Sequence, residues 1–458
     1  MNQLYLSAAH KSSGKTTLAL GLCAAYAARG LSVSPFKKGP DYIDPMWLSM
    51  AAEAPCHTLD FYTMEQEEIL AQYEQGREGR DLVLVEGNKG LFDGVSLDGH
   101  DCNGAMAKLL ELPVLLVINT NGITRGIAPL LIGYQQFDPM IRYCGVILNQ
   151  TGGERHEQKL RQVVEHYTDF SVLGAVRRHP DLEIVERHLG LVPGNEAHQA
   201  HNKIELIRRA VESQVDLDLI LERTIIDQPI MVDDSVVKQK TAQRLTPRQS
   251  KVRIGIARDE AFGFYYEADL EAFENEGAEL VPFSPIHDDH LPEMDGLLIG
   301  GGFPETHMAQ LEQNSVLRVQ IQQLIESGLP AYAECGGMMY LCRQISWEDH
   351  THQMVGVIQA DCVMHRRPQG RGYVRFRRQG EEKGIPAHEF HYSSLENLSD
   401  DTTFSYAIQR GFGIDGKNDG IVYKNLLASY LHQRNTRLNP WVKGFVRFVR
   451  QLNKEEQP

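Results

Sequence analysis

The chain has 458 residues, a length that allows two or three domains with separate hydrophobic cores. Hydrophobic residues make up 42% and charged residues 23%, which are the proportions of an ordinary globular protein in water. The net charge of −15 argues against a nucleic-acid groove or an anionic membrane surface as the partner.

Sequence signals for targeting and redox environment favour the cytoplasm. No apolar run has membrane-spanning length, and the N-terminus continues directly into a strand-like segment without a signal-peptide pattern. The seven cysteines are scattered without CxxC spacing, which argues against a structural zinc site and a disulfide framework. We therefore expect a cytoplasmic protein without a nucleic-acid or membrane partner, and the sequence leaves a homodimer open.

The first motif lies in Leu4–Leu20, where an apolar strand, a small polar turn and a helix follow one another. Small residues let backbone N–H groups approach phosphate oxygens, and the helix adds the positive end of its dipole. Lys15 can reach the β- and γ-phosphates of a nucleotide, and the Thr16 hydroxyl can hold Mg²⁺. The full P-loop pattern has glycine where this chain has Ala9. A plain strand-turn-helix junction is the alternative, but we expect six residues to bind the nucleotide: Ser12, Ser13, Gly14, Lys15, Thr16 and Thr17.

The rest of the first half alternates strand-like and helix-like segments. The predicted strands are Gln3–Ser7, Ser32–Phe36, Leu82–Val85, Val114–Ile118 and Cys144–Leu148. Continuous apolar runs of this length suit a buried parallel sheet. We predict an α/β fold with a doubly wound parallel sheet, ligands at the carboxyl ends of its strands, and a closing helix at Ile204–Glu222.

A polar stretch with two prolines, Arg223–Ser250, divides the chain and reads as a linker. The predicted domains are therefore 1–222 and 251–458, joined by 223–250. The second half is a further α/β domain. Its predicted strands and helices are 251–257, Glu267–Glu276, Glu279–Phe283, Gly296–Ile299, Ala331–Glu334 and Pro440–Leu452.

A strand, a cysteine and two glycines come together in Ala331–Leu341, AYAECGGMMYL. This is the pattern of a nucleophile elbow, and we expect the helix start to lower the pKa of the Cys335 thiol. Backbone N–H groups of Gly336 and of the glycines at 300–302 are candidates to bind an oxyanion. His432, after a late apolar run, is the candidate base. Each feature alone fits simple packing or a surface histidine, but together they predict a Cys–His pair.

Acids cluster at the predicted phosphate-binding edge of the first half. Lys37 follows the predicted strand Ser32–Phe36 and precedes Asp41 and Asp44 in a proline-bounded loop, while Glu86 and Asp93 follow the strand at 82–85. Carboxylates can hold Mg²⁺ and lysine can neutralise a transferring phosphoryl group. A single acid of this kind is usually a turn or cap residue. The clustering predicts phosphoryl transfer.

These motifs resemble one family along nearly the whole chain. The second half resembles class I glutamine amidotransferase domains of the cobyric acid synthase and cobyrinic acid diamide synthase branch. The first half resembles the dethiobiotin synthetase-like domain of the cobyrinic acid a,c-diamide synthase family. The segments that carry the resemblance are GPDYIDP (39–45), VEGNKGLFDG (85–94), PDLEIVERHLG (180–190), RDEAFGFYY (258–266), LLIGGGFPE (297–305), AECGGMMYL (333–341), AHEFHYS (387–393) and ASYLH (428–432).

The resemblance implies that ATP and Mg²⁺ serve to phosphorylate a carboxylate of a polycarboxylate tetrapyrrole, and that ammonia from L-glutamine replaces the phosphate. It implies Cys335 as nucleophile, His432 as its base, and Arg434 where many class I domains have a glutamate. The remaining implied roles are phosphoryl transfer by Asp41, Asp44 and Glu86, Mg²⁺ binding by Thr16, Asp44 and Glu86, nucleotide contacts by Lys37 and Asn149, and substrate contacts by Tyr42, Asp93, Gly301, Gly302 and Gly336.

Two alternatives remain at this stage. The same chemistry on siroheme or nickel-sirohydrochlorin uses the same motifs, which do not read the ring or its metal. A P-loop partition ATPase is the more distant alternative, but it predicts a basic DNA-facing surface and gives no reason for Cys335 and His432.

Overall fold

The computed structural model describes residues 1–184, 186–187, 190–191, 200–226 and 251–455. The chain forms two compact units, Met1–Phe61 with Glu65–Val237 and Tyr62–Met64 with Lys238–Pro458. None of the helices in the described ranges has the length and apolarity needed to cross a bilayer.

The first unit is built on a fully parallel seven-stranded sheet. Its strands are β1 Asn2–Ala8, β2 Val33–Lys38, β3 His57–Leu59, β4 Leu82–Glu86, β5 Val114–Asn119, β6 Tyr143–Thr151 and β7 Val172–Arg177, in the order β3-β2-β4-β1-β5-β6-β7. Its helices are α1 Lys15–Ala28, α2 Ile43–Ala52, α3 Gln66–Arg77, α4 Asn103–Leu109, α5 Ile127–Phe137, α6 Glu154–Tyr167, α7 Ala200–Gln214 and α8 Leu217–Arg223. A two-stranded ribbon, β8 Glu186–Arg187 and β9 Gly190–Leu191, completes the elements.

Strand order places the phosphate-binding turn at the centre of this sheet. Because β1 lies between β4 and β5, the chain that leaves β1 at Ala8 emerges beside the ends of both neighbours. The apolar strand residues are fully buried, as the continuous hydrophobic runs predict. The predicted doubly wound parallel sheet is confirmed, and the sequence missed only the short β3 and the edge strand β7.

The predicted helix Ile204–Glu222 is two helices, and its prediction as one element is wrong. Val215 pairs with Gly174 on β7, and the Asp216 side chain accepts a hydrogen bond from Leu219 N at 2.9 Å. That N-cap starts α8 because aspartate satisfies a free N–H at a helix start. The chain stays on the first unit at least to Ile226, whose N–H donates to Met1 O at 3.0 Å. The rest of the predicted linker, 227–250, lies outside the described residues.

The second unit has a nine-stranded mixed sheet. Its strands are β10 Val252–Ala257, β12 Ala278–Phe283, β13 Gly296–Ile299, β15 Ala331–Glu334, β19 Gly370–Arg378, β20 Ile385–His391, β22 Thr403–Arg410, β23 Asn418–Tyr423 and β24 Leu426–Ser429. Their order in the sheet is β12-β10-β13-β15-β24-β23-β22-β19-β20. Smaller sheets contain β11 Phe262–Phe264, β14 Gly301–Gly302, β16 Cys342–Trp347, β17 His350–Gln353, β18 Ile358–Met364 and β21 Ser393–Glu396. The helices are α9 Glu267–Asn275, α10 Met308–Gln313, α11 Ser315–Glu326, α12 Gly336–Leu341 and α13 Trp441–Glu455.

The parallel part of this sheet, β12 to β24, carries the second candidate site. β15 pairs in parallel with β24, with Glu334 opposite Ser429. Cys335 follows the first of these strands and His432 the second, so two neighbouring strand ends present the two residues at one edge. The antiparallel half of the sheet was not among the predicted elements.

Candidate active sites

The turn after β1 has the conformation of a phosphate cradle. Gly14 is the N-cap of α1 with φ +84°, and Ser12 also has a positive φ. A side chain at position 14 would clash, because its Cβ would lie 2.1 Å from Asn149 Nδ2. That amide nitrogen donates to Ser13 O at 2.8 Å, and Ser13 Oγ donates to His10 O at 2.8 Å. The turn is therefore fixed with the N–H groups of the first helical turn free of side-chain caps.

Ala9 needs no glycine conformation. It is absent from the residues with positive φ, and its carbonyl accepts the Tyr134 hydroxyl at 2.5 Å. The departure from the full P-loop pattern at this position is thus compatible with the loop.

Asp44 and Glu86 each contact both Lys37 and Thr16, which lies at the start of α1. Its Nζ lies 2.5 Å from Asp44 Oδ2 and 3.1 Å from Glu86 Oε1, with Lys37 and Glu86 almost fully buried. The Thr16 hydroxyl donates to Glu86 Oε1 at 2.7 Å and lies 3.3 Å from Asp44 Oδ2. Burial acts to lower the pKa of Lys37, but Asp44 and Glu86 outweigh it and raise that pKa well above its ordinary value. The cluster therefore keeps Lys37 charged.

Burial shifts the pKa values of both Lys15 and Glu86 in the direction that favours their neutral forms. Lys15 Nζ donates to Lys89 O at 2.5 Å, and burial lowers its pKa to about 8. Burial raises the pKa of Glu86, against the nearby charge of Lys37. Glu86 Oε2 is buried without a hydrogen-bond partner. A carboxylate oxygen in that state fits a cation ligand, and the Thr16, Asp44 and Glu86 oxygens form the donor set that Mg²⁺ prefers.

Two other predicted residues of the first site, Asp41 and Asp93, accept hydrogen bonds from backbone N–H groups. Asp41 Oδ1 accepts the N–H groups of Ile43 and Asp44 at 3.0 and 3.1 Å, and burial raises the pKa of Asp41 to about 7. Asp93 is exposed and accepts Gly90 N at 2.9 Å. Tyr42 is buried and is the N-cap residue of α2. Thr17 lies in the first turn of α1. The contact of Asn149 to the nucleotide stays a prediction. In the structure, the Asn149 amide donates to Ser13 O in the turn after β1.

Asn103 is a residue of this site that the sequence did not indicate. It is fully buried, and its Nδ2 donates to Gly90 O at 2.6 Å and to Asn88 O, while its Oδ1 accepts the Tyr5 hydroxyl at 2.9 Å. It thereby fixes the loop after β4 that carries Lys89 and Asp93. No local pattern in the sequence signals this role.

Cys335 sits on a strained elbow. Its φ of 46° and ψ of −104° are unfavourable for a residue with a side chain, and its N–H donates to Ser429 O at 2.7 Å. A Cβ at position 336 would lie 2.9 Å from Gly302 O, so glycine is required where the elbow meets β14. This is the strand–elbow–helix geometry that the sequence predicted.

The predicted low pKa of the Cys335 thiol is wrong for the free protein. The side chain is only 7% exposed, and burial together with the charge of Glu305 raises its pKa well above the ordinary value. A six-residue helix does not compensate for that desolvation. The nucleophile therefore rests as a neutral thiol and needs a base.

His432 is a buried neutral base at the neighbouring strand end. It is 4% exposed, and burial, with the charge of His391, lowers its pKa to about 3. Its backbone pairs with His388, and the two imidazole rings stack with centroids 5.0 Å apart. A Cβ on Gly301 would lie 2.8 Å from His432 Cε1. The interpretation of His432 as a surface residue is thereby excluded.

The glycines predicted to bind the oxyanion line this edge. Gly301 and Gly302 form β14, which pairs with Phe262 and Phe264, and Gly300 N donates to the Tyr265 hydroxyl at 2.9 Å. Their role toward an oxyanion stays a prediction.

The segment HEFHY (388–392) lies at the same edge of the second unit. Glu389 accepts the N–H groups of Phe412 and Gly413 at 2.7 and 2.8 Å, and the His391 ring stacks on Tyr430 at 3.8 Å. Within the described ranges, no group of three or more histidine, cysteine, aspartate or glutamate residues is placed to hold a metal ion.

An elbow cysteine and a buried histidine at neighbouring strand ends in one unit, and a phosphate cradle with buried acids in the other, fit an ATP-dependent amidotransferase class of protein. Family models match both halves: a CobQ/CobB/MinD/ParA nucleotide binding domain over residues 8–192, and a CobB/CobQ-like glutamine amidotransferase domain over residues 253–437.

Full-length relatives narrow the class to one family. The chain is 41% identical over its whole length to a cobyrinate a,c-diamide synthase of Magnetococcus marinus, covering 99% of that protein. It is 38% identical to the synthase of Methanosarcina acetivorans, covering 94% of this chain and 92% of the relative. It is 37% identical to that of Dehalococcoides mccartyi, covering 97% of each. The chain belongs to the cobyrinate a,c-diamide synthase family and is an amidoligase with a glutamine amidotransferase domain.

Proposed function

We propose that this protein uses ATP and L-glutamine to convert the a and c acetate side chains of cobyrinate into amides. The observation that carries the proposal is the presence, in one chain, of the Cys335 elbow with its buried base and of Lys37 between Asp44 and Glu86. The names of the full-length relatives support cobyrinate over siroheme and nickel-sirohydrochlorin. A partition ATPase would have no use for the thiol site.

In the proposed first half-reaction, ATP supplies a phosphoryl group that turns a poor electrophile into a reactive one. The tetrapyrrole carboxylate oxygen attacks the γ-phosphorus, ADP leaves, and an acyl phosphate forms. Lys15 and Lys37 offset the negative charge around the transferring group, and Thr16, Asp44 and Glu86 would hold Mg²⁺. Ammonia then attacks the acyl carbon, loses a proton and expels phosphate, which leaves the amide.

In the proposed second half-reaction, Cys335 Sγ attacks the side-chain amide carbon of glutamine. The thiol proton moves to His432 and then to the departing nitrogen, which leaves as ammonia. Water hydrolyses the thioester to glutamate and restores the thiol. Burial favours the neutral thiol and the neutral imidazole, which fits a proton transfer that accompanies the attack. Gly301, Gly302 and Gly336 are the proposed surroundings of the oxyanion.

The proposed domain assignment is a synthetase domain that begins at residue 1 and extends at least to Ile226, four residues beyond the predicted boundary, and an amidotransferase domain at 251–458. Tyr42 and Asp93 remain proposed substrate contacts, and a homodimer remains open. We propose a cytoplasmic location, which fits the seven cysteines, all of them free thiols.

Product mass spectrometry tests the substrate. The purified protein is offered cobyrinate, siroheme and nickel-sirohydrochlorin in parallel, each with ATP, Mg²⁺ and glutamine. We expect two carboxyl-to-amide conversions on cobyrinate alone, each accompanied by one glutamate and one phosphate. Amidation of either other ring in preference to cobyrinate would overturn the assignment.

A further inference from the structure

The orientation of the His432 ring is not explained by the residue two positions later. A histidine base needs a partner on one ring nitrogen, so that the other nitrogen carries the lone pair that takes the proton. Position 434 holds arginine, and its guanidinium carbon lies 5.0 Å from the centre of the Tyr266 ring. A cation cannot accept the Nδ1–H hydrogen bond, so another residue must do so.

Glu334, the residue immediately before the nucleophile, has the required position. Its Oε2 lies 3.5 Å from His432 Nδ1, and both side chains are less than a tenth exposed. The pair is longer than a formed hydrogen bond, but catalytic hydrogen bonds are often long without substrate and tighten in the substrate complex. Strand register explains the approach, since Glu334 ends β15 opposite Ser429 on the strand that leads to His432.

The other carboxylate oxygen is anchored by a buried network. Glu334 Oε1 accepts the Tyr332 hydroxyl at 2.6 Å and Gln433 N at 3.0 Å. Gln433 Nε2 in turn donates to the Tyr332 hydroxyl at 2.7 Å and to the Tyr406 hydroxyl at 2.9 Å. A network whose members satisfy one another holds a side chain in one rotamer. The anchor leaves Oε2 directed at the imidazole.

We propose that Glu334 is the positioning residue of His432, accepting the Nδ1–H hydrogen bond that a glutamate two positions after the histidine accepts in related domains. This inference deepens the proposed function and rests on it for the glutaminase reaction. His388 adds a second constraint, because its stacked ring fixes the plane of the His432 ring.

The chemical consequence is a defined tautomer. With Nδ1–H donated to Glu334, Nε2 carries the lone pair and takes the proton from the Cys335 thiol as the S–C bond forms. The resulting imidazolium is stabilised by the adjacent carboxylate until the proton passes to the departing ammonia. Burial raises the pKa of Glu334 to about 7, against the hydrogen bonds from Tyr332 and Gln433, so the charged form is present at neutral and alkaline pH.

Two substitutions separate charge from shape. Glu334→Gln keeps the shape and the acceptor for Tyr332 and Gln433 but presents an NH₂ group to Nδ1, which favours the wrong tautomer. Glu334→Asp keeps the charge but shortens the side chain by a methylene group. We expect the kcat of glutamine hydrolysis to fall roughly 10²- to 10⁴-fold in Glu334→Gln, with KM within about threefold, and to fall less in Glu334→Asp. A purely structural role predicts the opposite ranking.

Nitrogen-15 NMR of histidine-labelled protein reads the tautomer without any turnover. The His432 signals are assigned by their loss in His432→Asn. We expect the Nδ1–H form in the wild type and the Nε2–H form in Glu334→Gln. Asp269→Asn is the matched control. Asp269 is an equally buried carboxyl with a pKa also raised to about 7 by burial, but it accepts its hydrogen bonds from Asn435 N and Trp441 Nε1.

Ammonium-driven amidation separates this inference from the proposed function. We expect it to persist in Glu334→Gln, since that reaction does not use the thiol. Glutaminase in Glu334→Gln within about threefold of wild type, or an unchanged His432 tautomer, would overturn the inference. Loss of ammonium-driven amidation in Glu334→Gln but not in Asp269→Asn would also overturn it, as a sign of general support. Failure of the wild type on cobyrinate would refute the proposed function alone, because glutamate release still tests Glu334.

Discussion

Replacing Lys37 with methionine should destabilise the first unit by removing the charge that holds two acids. Lys37 Nζ lies 2.5 Å from Asp44 and 3.1 Å from Glu86, and the side chains of Lys37 and Glu86 are 4% and 0% exposed. At an effective dielectric constant of about 20, the attractions to Asp44 and Glu86 are worth roughly 7 and 5 kcal/mol before desolvation is counted. Breaking a buried ion pair from one side costs about 3–5 kcal/mol, and we expect a loss in that range at neutral pH.

The loss should depend on pH with a definite sign. Burial already raises the pKa of Glu86, and removal of Lys37 raises it further. A carboxyl whose pKa is higher in the folded than in the unfolded state destabilises the fold as pH rises from the unfolded value, about 4.3, through the folded value. The penalty should therefore be larger at pH 8 than at pH 5. Mg²⁺ should restore part of the stability, since a cation on Thr16, Asp44 and Glu86 replaces the lost charge.

The adjacent Lys38 provides a matched control. It is also almost fully buried, but its Nζ donates to the backbone carbonyl of Asp101 at 2.8 Å, and burial lowers its pKa despite the nearby charges of Asp60 and Asp101. We expect Lys38→Met to cost about 1–2 kcal/mol, with no response to Mg²⁺. Pulsed hydrogen exchange across a urea series measures both losses, because peptides from the two units report separate midpoints. Equal costs for the two variants, or a Lys37→Met penalty that is the same at pH 5 and pH 8, would refute the reasoning.

Three further variants test the thiol site and the phosphate site. Cys335→Ser should abolish glutamine-driven amidation and retain the ammonium-driven reaction. Asp44→Asn should lose amidation from both nitrogen sources and keep glutamine hydrolysis. Steady-state assays with each nitrogen source measure these activities, and full glutamine use by Cys335→Ser would contradict the nucleophile assignment. Gly301→Ala should lower glutaminase roughly 10- to 100-fold, because the new Cβ would lie 2.8 Å from His432 Cε1 and displace the ring. Gly444→Ala, which meets nothing within 4 Å, is the control and should leave the rate unchanged.

Local sequence patterns were sufficient for the elements that are either continuously apolar or punctuated by glycine. The strands β1, β4 and β5 begin at or within one residue of their predicted starts, because a buried parallel strand must be hydrophobic on both faces. The elbow at Cys335 was predicted for a similar reason, since its two glycines mark a close backbone approach. The split between α7 and α8 was missed, because the pairing of Val215 with Gly174 is a long-range contact.

The sequence by itself determined which chemical groups this protein has: a phosphate-binding turn, acids beside it, a thiol and a histidine. Tertiary structure alone decided their states and partners. Burial makes the Cys335 thiol neutral and His432 a neutral base, and no local pattern encodes how much solvent a folded chain will exclude. Likewise, Glu334 meets His432 only because β15 and β24 are neighbours in the sheet, although 98 positions of sequence separate the two residues. Strand pairing over that distance depends on the whole fold, and it supplies the carboxylate that position 434 lacks.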